Sequence, residues 1–369
     1  MTLNTLISGA YKHGETVAVE LLENATTGKW FLPVLWPSAA AIKKKQKEDC
    51  MAKTRFGLIV AATALLVSSA AYSQSTPIKH VVFIIKENRS FDHMFGTLPG
   101  VNGATRGKVR NGRQIPLAHA KDQTPNFGHT WGDAQAAIDG GRMDNFTAER
   151  LCSSQGCYSQ YTCSDIPDYC SYATNYLLAD DFFSSESGPS YPNHQYLIAS
   201  QSGDVRDNPI GFPTGWGCDA PPSEWVMVYD PNTGKKTKTF PCFDYATLAD
   251  VLDAQNITWK YYAPPQGSSG YQWSAYNAIN HVRNGSQWSS NVVNTSQFIA
   301  DAANGSLPAV SWVVAEGQYS EHPPALMSAG ESWTVQQLNA AMNGPDWPST
   351  AVFITWDCLL YTSPSPRDS

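Results

Sequence analysis

Residues 80–88 read HVVFIIKEN, an unbroken apolar run that ends abruptly in a lysine, a glutamate and an asparagine. β-Branched and aromatic residues without polar alternation are typical of strands buried on both faces of a parallel sheet. Three further runs share this character, at 257–262, 309–315 and 351–355. Helical patterns lie between the runs, at 192–200, 243–255, 289–303 and 334–342. The alternation predicts an α/β fold, with a mainly parallel sheet sandwiched by helices.

Acidic residues follow three of these runs, namely Glu87, Glu316 and Asp357. In parallel α/β sheets ligands bind beyond the carboxyl ends of the strands, so we expect these three carboxylates at one edge. Glu87, Asn88 and Asp357 offer hard oxygen donors, which suit a divalent cation. The alternative is that acids at strand ends cap neighbouring helices or face solvent.

Ser190 lies in SESGPSYPNHQYLIASQSG, where Gly188-Pro189 forces a turn before a helical pattern. We expect Ser190 at or beside the helix N-cap, where a serine often serves only as a cap. The same geometry suits a phosphate, because a helix N-terminus presents N–H donors and the positive end of the helix dipole. A nearby metal ion would activate the hydroxyl as a nucleophile.

Two loop histidines are further candidates, His129 in NFGHTW and His322 in YSEHPP. Each could donate to phosphoryl oxygens or protonate a leaving alcohol, although a single loop histidine is usually an ordinary surface residue.

Composition excludes several classes of protein. The 369 residues carry a net charge of −7, with 12 Trp and 17 Tyr and only 15% charged residues, which is not a disordered composition. The acidic balance disfavours a nucleic-acid partner. No apolar run reaches the roughly 20 residues that span a bilayer.

Six cysteines lie between residues 74 and 357, and their even number in an exported chain favours three disulfides over a metal site. They are Cys152, Cys157, Cys163, Cys170, Cys218 and Cys242. Fifteen connectivities are possible, and we favour local pairing within 152–170 together with Cys218–Cys242. The loops at 96–180 and 201–242 are expected to be disulfide-bearing insertions over the active face.

Both ends of the chain differ from the rest. Residues 51–73 show a basic start, an apolar middle and a small-residue exit, as in a secretory signal peptide, so a secreted or periplasmic protein is expected. Residues 1–50 are then interpreted as a non-native upstream extension, or alternatively a small N-terminal module. Residues 358–369, CLLYTSPSPRDS, are interpreted as an artefactual tail, or alternatively as a genuine Ser/Pro-rich one.

The chain resembles the bacterial phosphoesterase family, which includes phosphatidylcholine-type phospholipases C and acid phosphatases within the alkaline-phosphatase-like superfamily. The resemblance is carried by IKHVVFIIKENRSFDHMFGTLPGVNG at 78–103 and by later blocks in family order. These blocks are GHTW, GRMDNF, GPSYPNHQYLIA, SEHPPA and PDWPSTAVFITWD.

The resemblance implies a secreted, metal-assisted hydrolase of phosphoric esters that uses one divalent ion of unidentified type. It implies that Glu87, Asn88, Ser190 and Asp357 bind the metal and that Ser190 is the nucleophile. His129 and His322 would contact the phosphoryl group. The implied substrate is a phosphate monoester or a phospholipid head group, with transient contact at a membrane surface.

The chain departs from the family pattern after Asp357, where Cys358 replaces a second aspartate and the following glycine-rich block is absent. We therefore expect a C-terminally truncated, incomplete catalytic domain at 74–357 with impaired activity. A secreted carbohydrate- or surface-binding protein without catalysis is the alternative, suggested by the many Trp, Tyr, Asn, Gly and Ser residues. A serine esterase is disfavoured because the Ser190 motif lacks the final glycine of G-x-S-x-G.

Overall fold

The computed structural model describes residues 76–152, 156–211 and 216–357. It also describes the backbone of a short antiparallel strand pair, Leu22–Glu23 with Trp30–Phe31, within a separate unit at 1–77. Apart from that pair, the expected upstream extension at 1–50, the signal peptide at 51–73 and the C-terminal tail at 358–369 lie outside the described residues.

A parallel sheet forms the centre of the unit that begins at Ile78. Its strands are β1 (His80–Glu87), β2 (Trp259–Ala263), β3 (Val292–Asn294), β4 (Val310–Val314) and β5 (Thr350–Asp357). They lie in the order β3-β2-β4-β1-β5, and every neighbouring pair is parallel. The four apolar runs of the sequence are thus strands of one sheet, which confirms the predicted α/β class.

Helices connect these strands on both faces of the sheet. They are α1 (Phe91–Phe95), α2 (Trp131–Ile138), α3 (Pro167–Asn175), α4 (Ser190–Ala199), α5 (Leu248–Ala254), α6 (Asn280–Arg283), α7 (Ser286–Asn291), α8 (Gln297–Ala303) and α9 (Met327–Asn343). Short 3₁₀ turns occur at Asp139–Gly141, Phe146–Ala148, Tyr271–Trp273, Ala275–Ala278, Gly317–Tyr319 and Trp347–Ser349. Among the described residues, none of the helices combines the length and apolar character needed to cross a bilayer.

Side-chain alternation along the strands divides the core into two layers. On β4, Trp312 packs with α4 and α5, whereas its neighbour Val313 packs with Phe298 of α8 and Leu338 of α9. Full burial of one such apolar side chain stabilises the fold by roughly 2 kcal/mol. The sheet is therefore covered on both faces, which explains why its strands read as continuous apolar runs.

The single helix predicted over 289–303 is wrong. The structure has α7, then strand β3, then α8, and Val293 pairs with Tyr262 at the edge of the sheet. Val292 and Val293 are β-branched, and the unpaired edge of β2 offers them hydrogen bonds that a continuous helix would forgo.

The long loops contain small local elements. Short strands pair Arg106–Lys108 with Gln114–Pro116, Ala118–His119 with Ser159–Gln160, and Val226–Tyr229 with Lys236–Thr239. The disulfides are Cys152–Cys157, Cys163–Cys170 and Cys218–Cys242, as expected from the cysteine spacing. The loop at 96–180 buries apolar clusters of its own, which include Phe146 with Tyr158 and Tyr161 with Tyr169, and two of the disulfides add covalent links to them.

Candidate active site

The carboxyl ends of β1 and β5 bring two acids together. Glu87 and Asp357 are paired residues in the strand register, and both side chains are buried, at 1% and 5% exposure. Asn88 follows with a backbone φ of +53°, a left-handed conformation that asparagine tolerates better than most residues. Its backbone N–H donates to the Asp357 carbonyl oxygen at 2.5 Å, which locks the two strand ends to each other.

Ser190 is the first residue of α4, directly after the Gly188-Pro189 turn. The flanking position is Pro189, which has no capping side chain, so Ser190 is not the N-cap itself. Its Oγ hydroxyl instead donates to Glu87 Oε2 at 2.9 Å in a buried environment. The turn and the strand end thus place Ser190 against the acidic pair.

His194 joins this group, although it is not among the residues predicted from the sequence. It lies one helical turn after Ser190, and its Nε2 is 2.6 Å from Glu87 Oε1 and 3.9 Å from Asp357 Oδ2. Residues four apart share one face of a helix, so the i, i+4 spacing of Ser190 and His194 was the available signal. It was missed because a helical histidine has no distinguishing neighbours in the sequence.

The electrostatics of this group favour a bound cation. Burial raises the pKa of Glu87 to about 8 and holds the pKa of Asp357 well above its usual range, with the Glu87 charge as a second cause at Asp357. Burial also lowers the pKa of His194. Two adjacent buried carboxylates are costly unless a positive charge compensates them.

Unpaired polar atoms lead to the same conclusion. Both carboxylate oxygens of Asp357 and the Nδ1 of His194 are buried without hydrogen-bond partners. Glu87, His194 and Asp357 each offer a ligand atom, and these atoms lie within 4.8 Å of one another. Such groups rarely remain unsatisfied in a folded protein, so the residues present fit a divalent metal ion.

His129 and His322 lie side by side, with ring centroids 5.3 Å apart and the rings nearly perpendicular. Burial lowers both pKa values, and at His322 the pKa falls to about 4, with the neighbouring His129 as the second cause. Each Nδ1 contacts a backbone carbonyl, that of Phe127 or Pro323. A carbonyl accepts only from an N–H, so each neutral ring carries its hydrogen on Nδ1 and its lone pair on Nε2.

Hydrogen bonds between the loop at 320–321 and the end of β1 place His322 at the same edge of the sheet. The Ser320 carbonyl accepts from the Glu87 backbone N–H at 2.9 Å, and the Glu321 carbonyl accepts from Arg89 at 2.7 Å. Trp273 lies against the other side of the His322 ring, at 5.7 Å between centroids.

Glu316 does not join the acidic pair, contrary to the sequence-based expectation for this strand end. It is only half-buried, and its carboxylate accepts from the Gln318 side chain at 3.0 Å. Strand β4 ends at Val314, two residues before Glu316. Glu316 is the N-cap of the 3₁₀ helix Gly317–Tyr319, which directs it away from the neighbouring strand ends.

An open cleft of about 590 Å³ lies at the opposite end of the sheet, near the first residues of β2 and the segment before β4. None of the candidate site residues lines this cleft. The acidic pair, Ser190 and the histidines are instead at the carboxyl edge, where α/β sheets bind their ligands.

The fold and this site define a class: an α/β protein with a buried acid–histidine group and a serine at the carboxyl edge of a parallel sheet. The sequence profile of the phosphoesterase family matches residues 78–358, so the chain belongs to the phosphoesterase family.

Similar proteins are phospholipases C by name. The chain is 29% identical over 339 residues to a non-hemolytic phospholipase C of Pseudomonas aeruginosa, a match that covers 80% of this chain and 45% of that protein. It is 24% identical to phospholipase C A of Mycobacterium tuberculosis, with 76% and 58% coverage. It is 22% identical to the non-specific phospholipase C6 of Arabidopsis thaliana, with 79% and 55% coverage. The chain thus spans about half the length of the curated relatives it matches.

Proposed function

We propose that this protein is a metal-assisted hydrolase of phosphoric esters that uses Ser190 as its nucleophile. The hydrogen bond from the Ser190 hydroxyl to the buried Glu87 carboxylate is the observation that carries the proposal. Membership of the phosphoesterase family and the similarity to phospholipases C support the reaction class.

In the proposed reaction the Ser190 Oγ attacks phosphorus, the bond from phosphorus to the ester oxygen breaks, and a phosphoserine forms. Glu87 Oε2 would accept the Ser190 proton, and the hydrogen bond that it accepts from that hydroxyl supports this role. Ser190 is the first residue of α4, so the positive end of the helix dipole would favour the developing negative charge. Water then cleaves the phosphoserine, which releases phosphate or a phosphorylated head group and restores the hydroxyl.

One divalent ion would be held by Glu87, Asn88, Ser190 and Asp357, with His194 as a further donor. When bound, it would neutralise charge on the phosphoryl oxygens and lower the pKa of the serine hydroxyl. A donor set that includes an imidazole suits Zn²⁺ or Mn²⁺ better than Ca²⁺, which prefers oxygen alone.

His129 and His322 would assist the departure of the alcohol. Both rings are neutral near pH 7, with the lone pair on Nε2. A phosphoryl anion beside the rings would raise their pKa, so Nε2 could take up a proton and donate it to the leaving oxygen.

The proposed substrate is a phosphate monoester or a phospholipid head group, and nothing in the site suggests a nucleic-acid partner. The three disulfides of the described loops and the signal-like segment at 51–73 support a secreted or periplasmic protein. Mass spectrometry of the mature N-terminus would test this location, because export by a signal peptide requires cleavage near Ser73.

The decisive experiment compares Ser190→Ala with wild type in two assays, on p-nitrophenyl phosphate and on p-nitrophenyl phosphorylcholine. We expect the substitution and a chelator each to reduce turnover at least about 10³-fold, with recovery after chelation on adding Zn²⁺ or Mn²⁺.

Ser286→Ala is the matched control, because Ser286 is also the first residue of a helix but lies outside the site. Turnover of the second substrate alone would identify a phospholipase C, and turnover of both a broader phosphatase. The absence of activity towards both substrates with metal present would refute the enzyme proposal and favour a binding protein.

Transient contact with a membrane surface is part of this proposal. Four large apolar side chains are exposed within a short segment before the Ser190 turn: Tyr176, Leu177, Phe182 and Phe183. The Ser184 hydroxyl donates to the Asn193 side chain at 2.7 Å, which ties the end of this segment to α4. Apolar and aromatic side chains of this kind bind at the interface between lipid head groups and acyl chains.

Co-sedimentation with phosphatidylcholine vesicles tests this contact. We expect Leu177→Ser/Phe182→Ser to lower vesicle binding and turnover of vesicular substrate at least about fivefold, while turnover of a soluble ester stays unchanged. Exposed Ile210→Ser serves as the control. Equal vesicle binding by the double variant and wild type would contradict the contact.

A further inference from the structure

The tripeptide Arg206-Asp207-Asn208 contacts the loop that carries His129 and the turn that carries Ser190. The Asp207 Oδ1 accepts from the Trp131 backbone N–H at 2.8 Å, two residues after His129. The Asn208 Oδ1 accepts from the Tyr191 backbone N–H at 2.9 Å, one residue after Ser190. Adjacent side chains therefore hold two segments that are about sixty residues apart in the sequence.

Asn208 performs for α4 the task that an N-cap residue normally performs. The first N–H groups of a helix lack intrahelical partners, and a side chain at the N-cap usually accepts from one of them. Pro189 occupies that position here and has no acceptor. Asn208 thus satisfies the Tyr191 N–H from outside the helix, directly beside Ser190, whose hydroxyl donates to Glu87.

Arg206 reinforces the same junction through its ring contacts and its backbone. Its guanidinium carbon lies 5.1 Å from the Trp131 ring centroid and 4.7 Å from that of Tyr229. Its carbonyl oxygen packs closely against Gly188, where a Cβ would lie only 2.6 Å from it. Arg206 is thus closely packed both against the segment that contains Trp131 and against the turn that precedes Ser190.

We propose that Asp207 and Asn208 are positioning residues that set the place of His129 relative to Ser190. This inference rests on the proposed function, because it assumes that both residues act on one phosphoryl group. A displacement of about 1 Å between reacting groups can reduce turnover 10²-fold, so such a junction would control kcat rather than substrate affinity.

The test measures kcat and KM for Asp207→Ala and Asn208→Ala. We expect kcat to fall at least about tenfold while KM changes less than about threefold. Asp207→Asn and Asn208→Asp retain an acceptor oxygen and should restore kcat to within about threefold of wild type.

Thr247→Ala is the matched control, because Thr247 caps α5 in a reciprocal box with Asp250 and takes no part in the site. It should lower stability as much as Asn208→Ala but leave kcat unchanged. Hydrogen exchange provides a readout independent of activity: Asn208→Ala should accelerate exchange at the Tyr191 amide, and Asp207→Ala at the Trp131 amide.

The possible outcomes are distinct. If wild type is active and Asn208→Ala keeps a kcat within twofold of Thr247→Ala, these contacts only stabilise the fold and the inference is wrong. If metal-loaded wild type has no phosphoesterase activity, the proposed function fails and the inference fails with it.

Discussion

Lys86 shows how a single residue next to the site can be structural rather than catalytic. Its ammonium is fully buried, 3.2 Å from Glu321 Oε1, and it also donates to the Gly330 carbonyl at 3.0 Å. Because strand side chains alternate, Lys86 points to the opposite face from Glu87. Glu321 in turn accepts from Tyr169 and Trp356, so this network anchors the residues that precede Glu87, His322 and Asp357.

Lys86→Met should lower the free energy of unfolding by about 3–5 kcal/mol, because it leaves the Glu321 carboxylate buried and without its cation. The double variant Lys86→Met/Glu321→Gln should recover part of the loss, since it removes the unpaired charge. Urea denaturation measures both effects.

Lys260→Met is the comparison for this pair, because Lys260 binds Asp301 at 2.6 Å but is partly exposed. We expect a loss of about 1 kcal/mol or less from it. If the two lysine variants lost similar free energies of unfolding, burial would not increase the contribution of the Lys86–Glu321 pair to stability.

At the scale of elements, α9 approaches the His322 loop unusually closely at Gly330. A Cβ at this position would lie 2.2 Å from the Glu321 Cγ, so only glycine allows the helix to pack there. Glu321 itself has a φ of +71°, which adds to the constraint on the loop.

Gly330→Ala should therefore destabilise the protein by about 1–3 kcal/mol, despite the higher helix propensity of alanine. Gly132→Ala in α2 is the opposite case, because a Cβ there meets only the Thr130 hydroxyl at 3.7 Å. We expect that variant to be neutral or slightly stabilising. Thermal unfolding of both variants would reveal the difference in sign, and a neutral Gly330→Ala would contradict the packing argument.

At the scale of the whole molecule, the three disulfides within the described residues close loops of different lengths. Cys218–Cys242 spans 24 residues, whereas Cys152–Cys157 spans only 5. In the chain-entropy account, a disulfide that closes a longer loop stabilises the fold more, because it removes more conformational entropy from the unfolded chain.

Replacing both Cys218 and Cys242 with Ser should thus cost roughly 3.5 kcal/mol, against roughly 2 kcal/mol for the Cys152 and Cys157 pair. Urea denaturation of the two double variants measures the difference, and non-reducing peptide mapping confirms the remaining pairs. A larger loss from the shorter loop would show that local packing outweighs chain entropy.

Local sequence patterns predict the α/β class, four of the five strands of the parallel sheet, and the acids Glu87 and Asp357 at the ends of two of them. These features depend on local patterns, because burial on both faces of a sheet demands continuous apolar runs and parallel strands end at one edge. The motif that contains Ser190 could be recognised for the same reason, as a turn followed by a helix.

Which residues of the site contact one another depends on the tertiary fold. Glu87 contacts Ser190 and His194 across more than a hundred residues of sequence, and no local pattern encodes such contacts. The cap that Asn208 provides, the Lys86–Glu321 pair and the edge strand β3 likewise depend on partners distant in the chain. Burial explains these contacts, because it brings the groups together and removes water from them, which strengthens their electrostatic interactions.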